Sequence, residues 1–520
     1  MDHEVQSVYS VIVASLQPES HAQAEESINA LDKNPAFSLL LCKICENETL
    51  PVNHRVAAAV QLFKSISCHY DSAVNNFIAP IIPNDQKPYI RISLLRSIVS
   101  DNHILRTNIA RSLAKVASLE YPEIWASLPS VLAAGLSPSP QSTPQELQEA
   151  FQTPCLTSHP AEKLHFLSHG FAMVTAIIAQ DVTETKLSAV LQLLLPALLN
   201  ALKTRVGFPT PPQTLSDIDL EFVLHILNAL SNLLLVATYL VQDPSVLPKG
   251  SVPIKQVVGP LIMPWFEIFH SILTQSLVPT TDNLQSVVNH LESGCLAPFI
   301  QTVKILTTVV QMFTKELIEG NVLTSLLSAV VNVYTSCSSL NEAVFIHQSE
   351  AVEISTRLKD SEGESQNMLT LVDACQSFIC STLFASKSAR KHMKVHLPSA
   401  METTILLARI DKHSMNEWIG SIDRYYAQED EQSFDFTLRI SAKMFLTKLA
   451  EDMPSMTFKT FTNIAGKLFK QAQDMRGKTD EFQWLVLLEA VFCGYSCIVP
   501  NLPERKPIKL PLIGLDLSVL

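Results

Sequence analysis

Residues 24–66 read AEESINALDKNPAFSLLLCKICENETLPVNHRVAAAVQLFKSI, and apolar side chains return in this stretch every three or four positions. Because a helix places residues three and four apart on one face, the stretch predicts successive helices that each bury one stripe. Pro35 and Pro51 lie in the short polar breaks between them. One such helix cannot bury its stripe alone, so the pattern predicts antiparallel helix pairs stacked side by side.

The pattern continues along the chain, with apolar positions at Ile90, Leu94, Leu95 and Ile98 and then at Leu105, Ile109, Leu113, Val116 and Ala117. Further helices are predicted near 161–180, 184–204, 214–242, 255–277, 280–292, 295–319, 321–335, 340–358, 366–385, 400–408, 414–427, 434–452, 456–474 and 480–498. The predicted fold is all-α, a right-handed α-solenoid of about ten HEAT-like helical hairpin repeats. Its predicted parts are N-terminal repeats over 1–136, a Pro/Ser-rich loop over 137–160, further repeats over 161–500 and a proline-containing, non-helical tail over 501–520.

Composition agrees with one elongated array. The 520 residues are 47% hydrophobic and 17% charged, with only 13 glycines, and no Gly/Ser-rich linker divides them. The closest glycines, Gly250 and Gly259, are too far apart for a phosphate-binding loop, a dinucleotide fingerprint or a nucleophile elbow. We therefore predict a protein that is not an enzyme and needs no cofactor.

The cysteines raise the question of a metal site. Cys42 and Cys45 form a CxxC pair, with Cys68 and His69 downstream, which is one half of a zinc-binding pattern. No second spaced pair follows, and both cysteines fall on a predicted helical stripe, where cysteine is a good core residue. With no secretory signal at the N-terminus, the prediction is buried free thiols in a reducing compartment and no metal.

Two apolar runs invite a membrane interpretation. Val223 to Val241 and Leu187 to Leu202 approach the length of a membrane span, but the first contains five polar residues and the second is interrupted by Pro196. Neither is flanked by a basic cluster. We predict helices buried within the repeats and no membrane insertion, with a membrane-associated helical protein as the alternative.

Motifs near both ends carry a family resemblance. The N-terminal motifs are Ala24-Glu25-Glu26, Arg55-x-x-Ala58-Ala59, Phe63-Lys64-Ser65, Ile90-Arg91-x-x-Leu94-Leu95, Arg106-x-x-Ile109-Ala110 and Glu120-Tyr121-Pro122-Glu123-x-Trp125. They resemble the N-terminal domain of the importin-β (karyopherin) family, here expected over 22–100, although Tyr70 stands where the family usually has tryptophan and Ala126 where proline often follows. Phe434 to Ala442, with the helices that follow through Trp484 and Glu489, resembles the importin-9 branch.

The resemblance implies a nuclear transport receptor. Such receptors bind GTP-bound Ran through their N-terminal repeats, contact Phe-Gly nucleoporins at the nuclear pore and move between cytoplasm and nucleus. The importin-9 branch implies basic protein cargo of the histone or ribosomal-protein type. Family members are usually longer, so we expect a short form in which Ran and nucleoporin contacts survive better than tight cargo binding. The alternative is a HEAT-repeat scaffold or regulatory adaptor that ignores Ran.

Charge and position suggest the contact residues. The formal net charge of −12 favours basic partners, and no basic stripe with interleaved aromatics points to nucleic acid. The candidates for Ran binding are Arg55, Lys64, Arg91 and Arg106, each with a structural role as its alternative. The candidates for basic cargo are Asp360, Glu362, Glu364, Glu429, Asp430 and Glu431, which are otherwise solvated loop charges. Arg439 with Asp435 is interpreted as structural, and the chain as a monomer.

Overall fold

The computed structural model of the chain describes most of its length. The described residues are 2–74, 76–139, 143–180, 184–209, 215–243, 245, 252–277, 283–350, 352, 354, 356, 358–359, 365–421, 423–424, 437–477 and 481–502. They form helices and turns, and the ordered backbone of these ranges contains one isolated β-bridge, between Lys359 and Ser365, but no strand. The chain divides into two compact units, Met1–Phe266 and Glu267–Leu520.

The first unit is built from paired helices. They are α1 (His3–Ser15), α2 (His21–Leu31), α3 (Phe37–Glu46), α4 (Val52–His69), α5 (Lys87–Ser97), α6 (His103–Glu120), α7 (Leu128–Leu136), α8 (Gln145–Phe151), α9 (Ala161–Ile178), α10 (Glu184–Arg205), α11 (Asp217–Gln242) and α12 (Ile254–Ile262).

These helices pack in two rows. In one row α4 packs on α6, α6 on α9 and α9 on α11, while in the other α1 packs on α3 and α3 on α5. Hairpin partners such as α3 with α4 and α5 with α6 join the rows. The apolar stripes face the interior between the rows, where the large side chains of Phe37, Trp125 and Phe222 are buried. Each hairpin thus buries its stripe against the next, as the 3.6-residue period predicts.

The second unit repeats this construction. It contains α13 (Phe266–Leu273, whose first residue closes the preceding unit), α14 (Leu284–Glu292), α15 (Ala297–Glu319), α16 (Val322–Asn341), α17 (Met368–Ala385), α18 (Lys387–Met393), α19 (Leu397–Leu407), α20 (Lys412–Gly420), α21 (Leu438–Asp452), α22 (Pro454–Met475) and α23 (Glu481–Ile498). Helix α15 packs on α17, α16 on α19, α19 on α22 and α22 on α23. The predicted all-α fold of HEAT-like hairpins is confirmed.

Local expectations fail at two places. The loop predicted over 137–160 contains helix α8 and a 3-10 turn at Leu156–Ser158. The helix predicted over 340–358 ends in a π-helical turn at Glu342–Ile346. The helix predicted over 184–204 is confirmed as α10, which continues through Pro196. This proline lies on the exposed side, where water can hydrate the carbonyl of Gln192 that the missing N–H leaves free. Most of the predicted 501–520 tail lies outside the described residues.

The most apolar helices are partly buried within the units, with 44% to 67% of their apolar windows covered. Five helices of the described ranges are long and apolar enough to cross a membrane, judged by length and composition alone. They include α11 and most of α10, the two runs in which the sequence suggested a membrane alternative. In α11, 67% of the most apolar window is buried against other helices. Packing between repeats therefore accounts for much of the apolar character of this helix.

Candidate protein-binding surface

Arg55 joins the two helices of one hairpin. It lies near the start of α4, and its Nε donates a hydrogen bond to the carbonyl oxygen of Cys45 at 2.9 Å, near the end of α3. The thiol of Cys45 in turn donates to the carbonyl oxygen of Arg55 at 3.8 Å. The side chain is half-buried, so its position is set by the hairpin and only part of it faces solvent.

Arg91 belongs to a buried polar network. Its Nη1 lies 2.7 Å from Oε2 of Glu120, and its guanidinium lies 5.0 Å from the ring centroid of Trp125. The other carboxylate oxygen of Glu120 accepts a hydrogen bond of 2.7 Å from the Tyr70 hydroxyl. Burial raises the pKa of Tyr70, and the neighbouring Glu120 carboxylate raises it further, so the phenol remains a donor. The network ties together α4, α5 and α6, and makes Arg91 chiefly a structural residue.

Arg106 is fully buried, which corrects the expectation that this arginine is exposed at the surface. Its Nε donates to Nδ1 of His169 at 3.1 Å, and its Nη1 donates to the carbonyl oxygen of Ser100 at 2.6 Å. The guanidinium also lies 5.3 Å from the ring centroid of Phe166. Since His169 belongs to α9, this arginine links two successive hairpins through their cores.

The partners of Arg106 fix the state of a histidine. Because Nε of Arg106 is a donor, Nδ1 of His169 must accept, which places the imidazole proton on Nε2, 3.6 Å from Oε2 of Glu221. Burial lowers the pKa of His169 to about 4, and Arg106 also opposes its protonation. His225 is lowered to a pKa of about 3, first by burial and then by His169. Burial opposes ionisation of Glu221, but His103 and His169 outweigh it and lower its pKa.

The remaining candidate, Lys64, lies on an accessible surface. It is exposed on α4, four residues after Val60, which is 46% exposed. On the adjacent α6, Ile104 is 57% exposed and Arg111 is also exposed, with its guanidinium 4.9 Å from the ring centroid of Phe63. Spacings of four and seven residues keep each pair on one side of its helix. We call the surface of Val60, Lys64, Ile104 and Arg111 the α4–α6 face. The sequence did not indicate Ile104, because an isoleucine at a helical position is expected to be buried, and it did not indicate Arg111, because its position beside α4 depends on how the helices pack.

The acidic cargo candidates cannot be placed. Asp360, Glu362, Glu364, Glu429, Asp430 and Glu431 all lie outside the described residues, as does Asp435. Arg439 is described, and its Nη1 and Nη2 lie 2.9 and 2.7 Å from the two carboxylate oxygens of Glu489. This bidentate pair joins α21 to α23, so the structural interpretation of Arg439 is supported, with a partner on another helix.

The cysteines are free thiols, and the two cysteines of the CxxC motif, Cys42 and Cys45, are buried in the core. Cys42 and Cys45 are buried on α3, and burial raises the pKa of Cys42 to about 12. His69 is committed elsewhere: its Nε2 pairs with Asp32 at 2.9 Å, and its Nδ1 lies 2.6 Å from the carbonyl oxygen of Ile78. Within the ranges that the structure describes, no group of three or more His, Cys, Asp or Glu could hold a metal ion.

An apolar cavity of about 630 Å³ lies in the second unit, lined by residues that include Phe345, Trp418 and Leu438. Its charged neighbours serve the fold, because Arg409 pairs with Glu342 at 3.2 Å and Asp411 caps the first turn of α20. A mostly apolar lining with a few polar groups is typical of a binding pocket. The described residues therefore form a helical-repeat protein with an apolar cavity in its second unit and a mixed apolar and basic surface, the α4–α6 face, in its first.

Comparison with known proteins shows which repeat proteins the chain is similar to. The sequence profile described as Importin-beta N-terminal domain matches residues 24–100. Importin-9 of Drosophila melanogaster is 19% identical over 492 residues, which are 93% of this chain and 41% of that protein. The chain is thus similar to importin-β proteins in its N-terminal domain, and the relative is a member of the importin-9 branch that the sequence motifs resemble.

Two solved structures share the fold. The exportin Cse1 in its cargo-free, cytoplasmic state superimposes with a TM-score of 0.58 at 15% identity, covering 95% of this chain and 47% of that one. Lph2, described as a bidirectional nuclear transport receptor in S. cerevisiae, gives a TM-score of 0.59 at 13% identity, covering 97% and 46%. The chain therefore spans less than half the length of these proteins.

Proposed function

We propose that the chain acts as a nuclear transport receptor that binds Ran-GTP through its N-terminal repeats and carries basic protein cargo of the histone or ribosomal-protein type. The observation that carries the proposal is the importin-β N-terminal domain over residues 24–100, set in a fold shared with transport receptors of both directions. Phe-Gly nucleoporins are the proposed partners at the pore, and the proposed location is the cytoplasm, nucleus and nuclear envelope.

The α4–α6 face is the proposed Ran contact within the N-terminal repeats. Of the predicted basic candidates, Lys64 is exposed, whereas Arg106 is fully buried and Arg91 is engaged with Glu120. Val60 and Ile104 add exposed apolar area beside Lys64 and Arg111, and an interface needs both an apolar centre and charges at its rim. We therefore propose Lys64 and Arg111, rather than Arg106 and Arg91, as the basic residues that contact Ran.

A capture experiment with Ran tests this proposal. The intact chain is immobilised and exposed to Ran locked in its GTP state or loaded with GDP, and we expect retention of the GTP form. The double variant K64E/R111E should weaken binding by about tenfold or more, since reversed charges at an interface repel the partner. The control variant K33E/K163E reverses two exposed lysines elsewhere in the same unit and should bind like the wild type. Equal retention of the two nucleotide forms would count against the transport proposal.

Basic cargo is proposed on charge. The net charge of −12 produces a field that attracts a basic protein and that salt weakens. Cytosol passed over the immobilised chain, with and without Ran-GTP, should yield basic proteins that Ran-GTP alters in amount, because two ligands that favour different states of one receptor must affect each other equally. A non-transport scaffold remains the second candidate: it would retain partners from cytosol with no response to Ran-GTP.

A further inference from the structure

A short basic segment interrupts this acidic protein. From Asp373 to Glu402 the sequence contains no acidic residue in between, although the chain as a whole carries 50 Asp plus Glu against 38 Lys plus Arg. Within that interval lie Lys387, Arg390, Lys391 and Lys394, together with His392 and His396. This is a local concentration of positive charge that the net charge of −12 conceals.

The structure places the four cations on one side of a helix. Their spacing is three, four and seven residues from Lys387, so they lie along one face of α18 and its C-terminal cap, over about 10 Å. All four are exposed. The opposite side of the helix is packed, with Ala389 and Met393 fully buried. We call these four residues the α18 stripe.

The cations of the α18 stripe lack acidic partners among the described residues. In the part of the chain that the structure describes, none of the four has an acidic group within 4.0 Å. Arg390 is oriented by its Nε, which donates to the carbonyl oxygen of Leu383 at 3.0 Å, so that its other nitrogens remain for a partner. By contrast, Lys467 is held by Glu402 at 2.7 Å and Lys315 lies 3.8 Å from Glu319.

Exposed apolar side chains flank the stripe. Val395, next to Lys394, is 78% exposed, and Phe384, next to the Leu383 that holds Arg390, is 38% exposed. An apolar side chain beside unpaired charge is a feature of protein-binding surfaces. A long nucleic acid suits the surface less well, because a polyanion extending beyond the stripe would meet a protein of net negative charge.

We propose that the α18 stripe, with Phe384 and Val395, is a docking surface for a short acidic segment of another protein that also carries apolar residues. In an extended peptide, alternate side chains point the same way about 7 Å apart, which is close to the spacing of successive turns along α18. Two acidic residues on one side of the peptide can therefore meet the stripe, while its apolar residues contact Val395. The partner has the opposite charge to the basic cargo proposed above, so the two proposals fail or stand separately.

Fluorescence anisotropy with the intact chain tests the proposal. The probe is a labelled short peptide in which glutamate alternates with leucine, compared with the same peptide carrying glutamine in place of glutamate. We expect the glutamate peptide to bind more tightly, and we expect its affinity to fall as the salt concentration is raised above about 0.15 M. The variant K391E/K394E should weaken binding by about tenfold or more. The control K459E/K470E, which changes the net charge equally at two exposed lysines of α22, should bind like the wild type.

Circular dichroism melts establish that each variant is folded, and K391Q/K394Q, which removes charge without reversing it, should give an intermediate affinity. Three results would overturn the proposal: equal binding of the glutamate and glutamine peptides, equal loss in both double variants, or tighter binding of a single-stranded oligonucleotide through the same lysines. The last would assign the stripe to nucleic acid.

Discussion

Replacing Glu120 with alanine should loosen the junction of α4, α5 and α6. The carboxylate is almost fully buried and accepts two contacts of 2.7 Å, one from the Tyr70 hydroxyl and one from Arg91. Each hydrogen bond to a charged group contributes about 1.5–3 kcal/mol. Removing the carboxylate also leaves the Tyr70 hydroxyl buried without its acceptor, whereas Arg91 is 15% exposed and can recover some hydration. We therefore expect a loss of about 3–5 kcal/mol in local stability.

Hydrogen exchange measured by mass spectrometry suits this prediction, because it reports local opening within a chain of two units. Peptides from α6 should exchange faster in Glu120→Ala, by a factor that corresponds to the expected loss in the free energy of local opening. Glu123→Ala removes an exposed carboxylate three residues away and should change exchange by less than about 0.5 kcal/mol. A double-mutant cycle with Tyr70→Phe should show coupling of about 1 kcal/mol or more. A change below about 1 kcal/mol for Glu120→Ala, or an additive cycle, would refute the reasoning.

Three further predictions concern other contacts. His169 has a folded pKa of about 4 against an ordinary value of 6.5, so the unfolded chain binds the extra proton between these values and stability falls as pH drops from 6.5 towards 4. The contribution is about 2 kcal/mol between pH 7 and 5, and urea unfolding of His169→Gln, whose amide oxygen can still accept from Arg106, should show a weaker pH dependence. Arg439→Lys should lower the stability of the α21–α23 contact by about 1 kcal/mol in hydrogen exchange, because lysine cannot form the bidentate pair. Cys42, buried with a pKa of about 12, should resist a thiol reagent in native protein and react after unfolding in urea; rapid native labelling would contradict its placement.

Periodicity predicted the helices because the repeat of apolar residues is a local property of the sequence. It could not predict Arg106, whose neighbours in the chain suggest a surface charge. The side chain is buried because its acceptors come from the loop before α6 and from His169, 63 positions later. Pro196 shows that the apolar period can outweigh a local helix breaker: the helix predicted over 184–204 continues through this proline, which lies at an exposed position.

The α4–α6 face was predicted only in part, because contacts between helices distant in the sequence decide which residues share a surface. Lys64 was found because basic residues outside the apolar stripe are expected at the surface. Arg111 and Ile104 become informative only when α6 is placed beside α4. The α18 stripe was visible in the sequence as a run of cations, but its meaning depends on the absence of acidic partners in the described structure.

Buried polar contacts in both units connect successive repeats. In the first unit, Tyr70 reaches Glu120, 50 positions later in the chain. In the second, the Tyr334 hydroxyl lies 2.9 Å from Thr404 Oγ1 and accepts from Gln376 Nε2 at 3.1 Å. Ser441 Oγ lies 3.1 Å from Gln376 Oε1 and donates to Oδ1 of Asp373 at 2.5 Å. This second chain of contacts passes through α16, α17, α19 and α21.

Apolar packing alone would hold such helices together without fixing their relative position, since the hydrophobic effect is non-directional. A buried hydrogen bond made with the wrong neighbour leaves a donor or acceptor unpaired at a cost of about 1–3 kcal/mol, so each contact penalises a shifted stacking. The penalty is local to one junction, because each repeat contacts only its neighbours. Neighbouring hairpins can therefore keep their register while small adjustments accumulate along a unit. The proposed coupling between Ran-GTP and cargo requires adjustments of this kind.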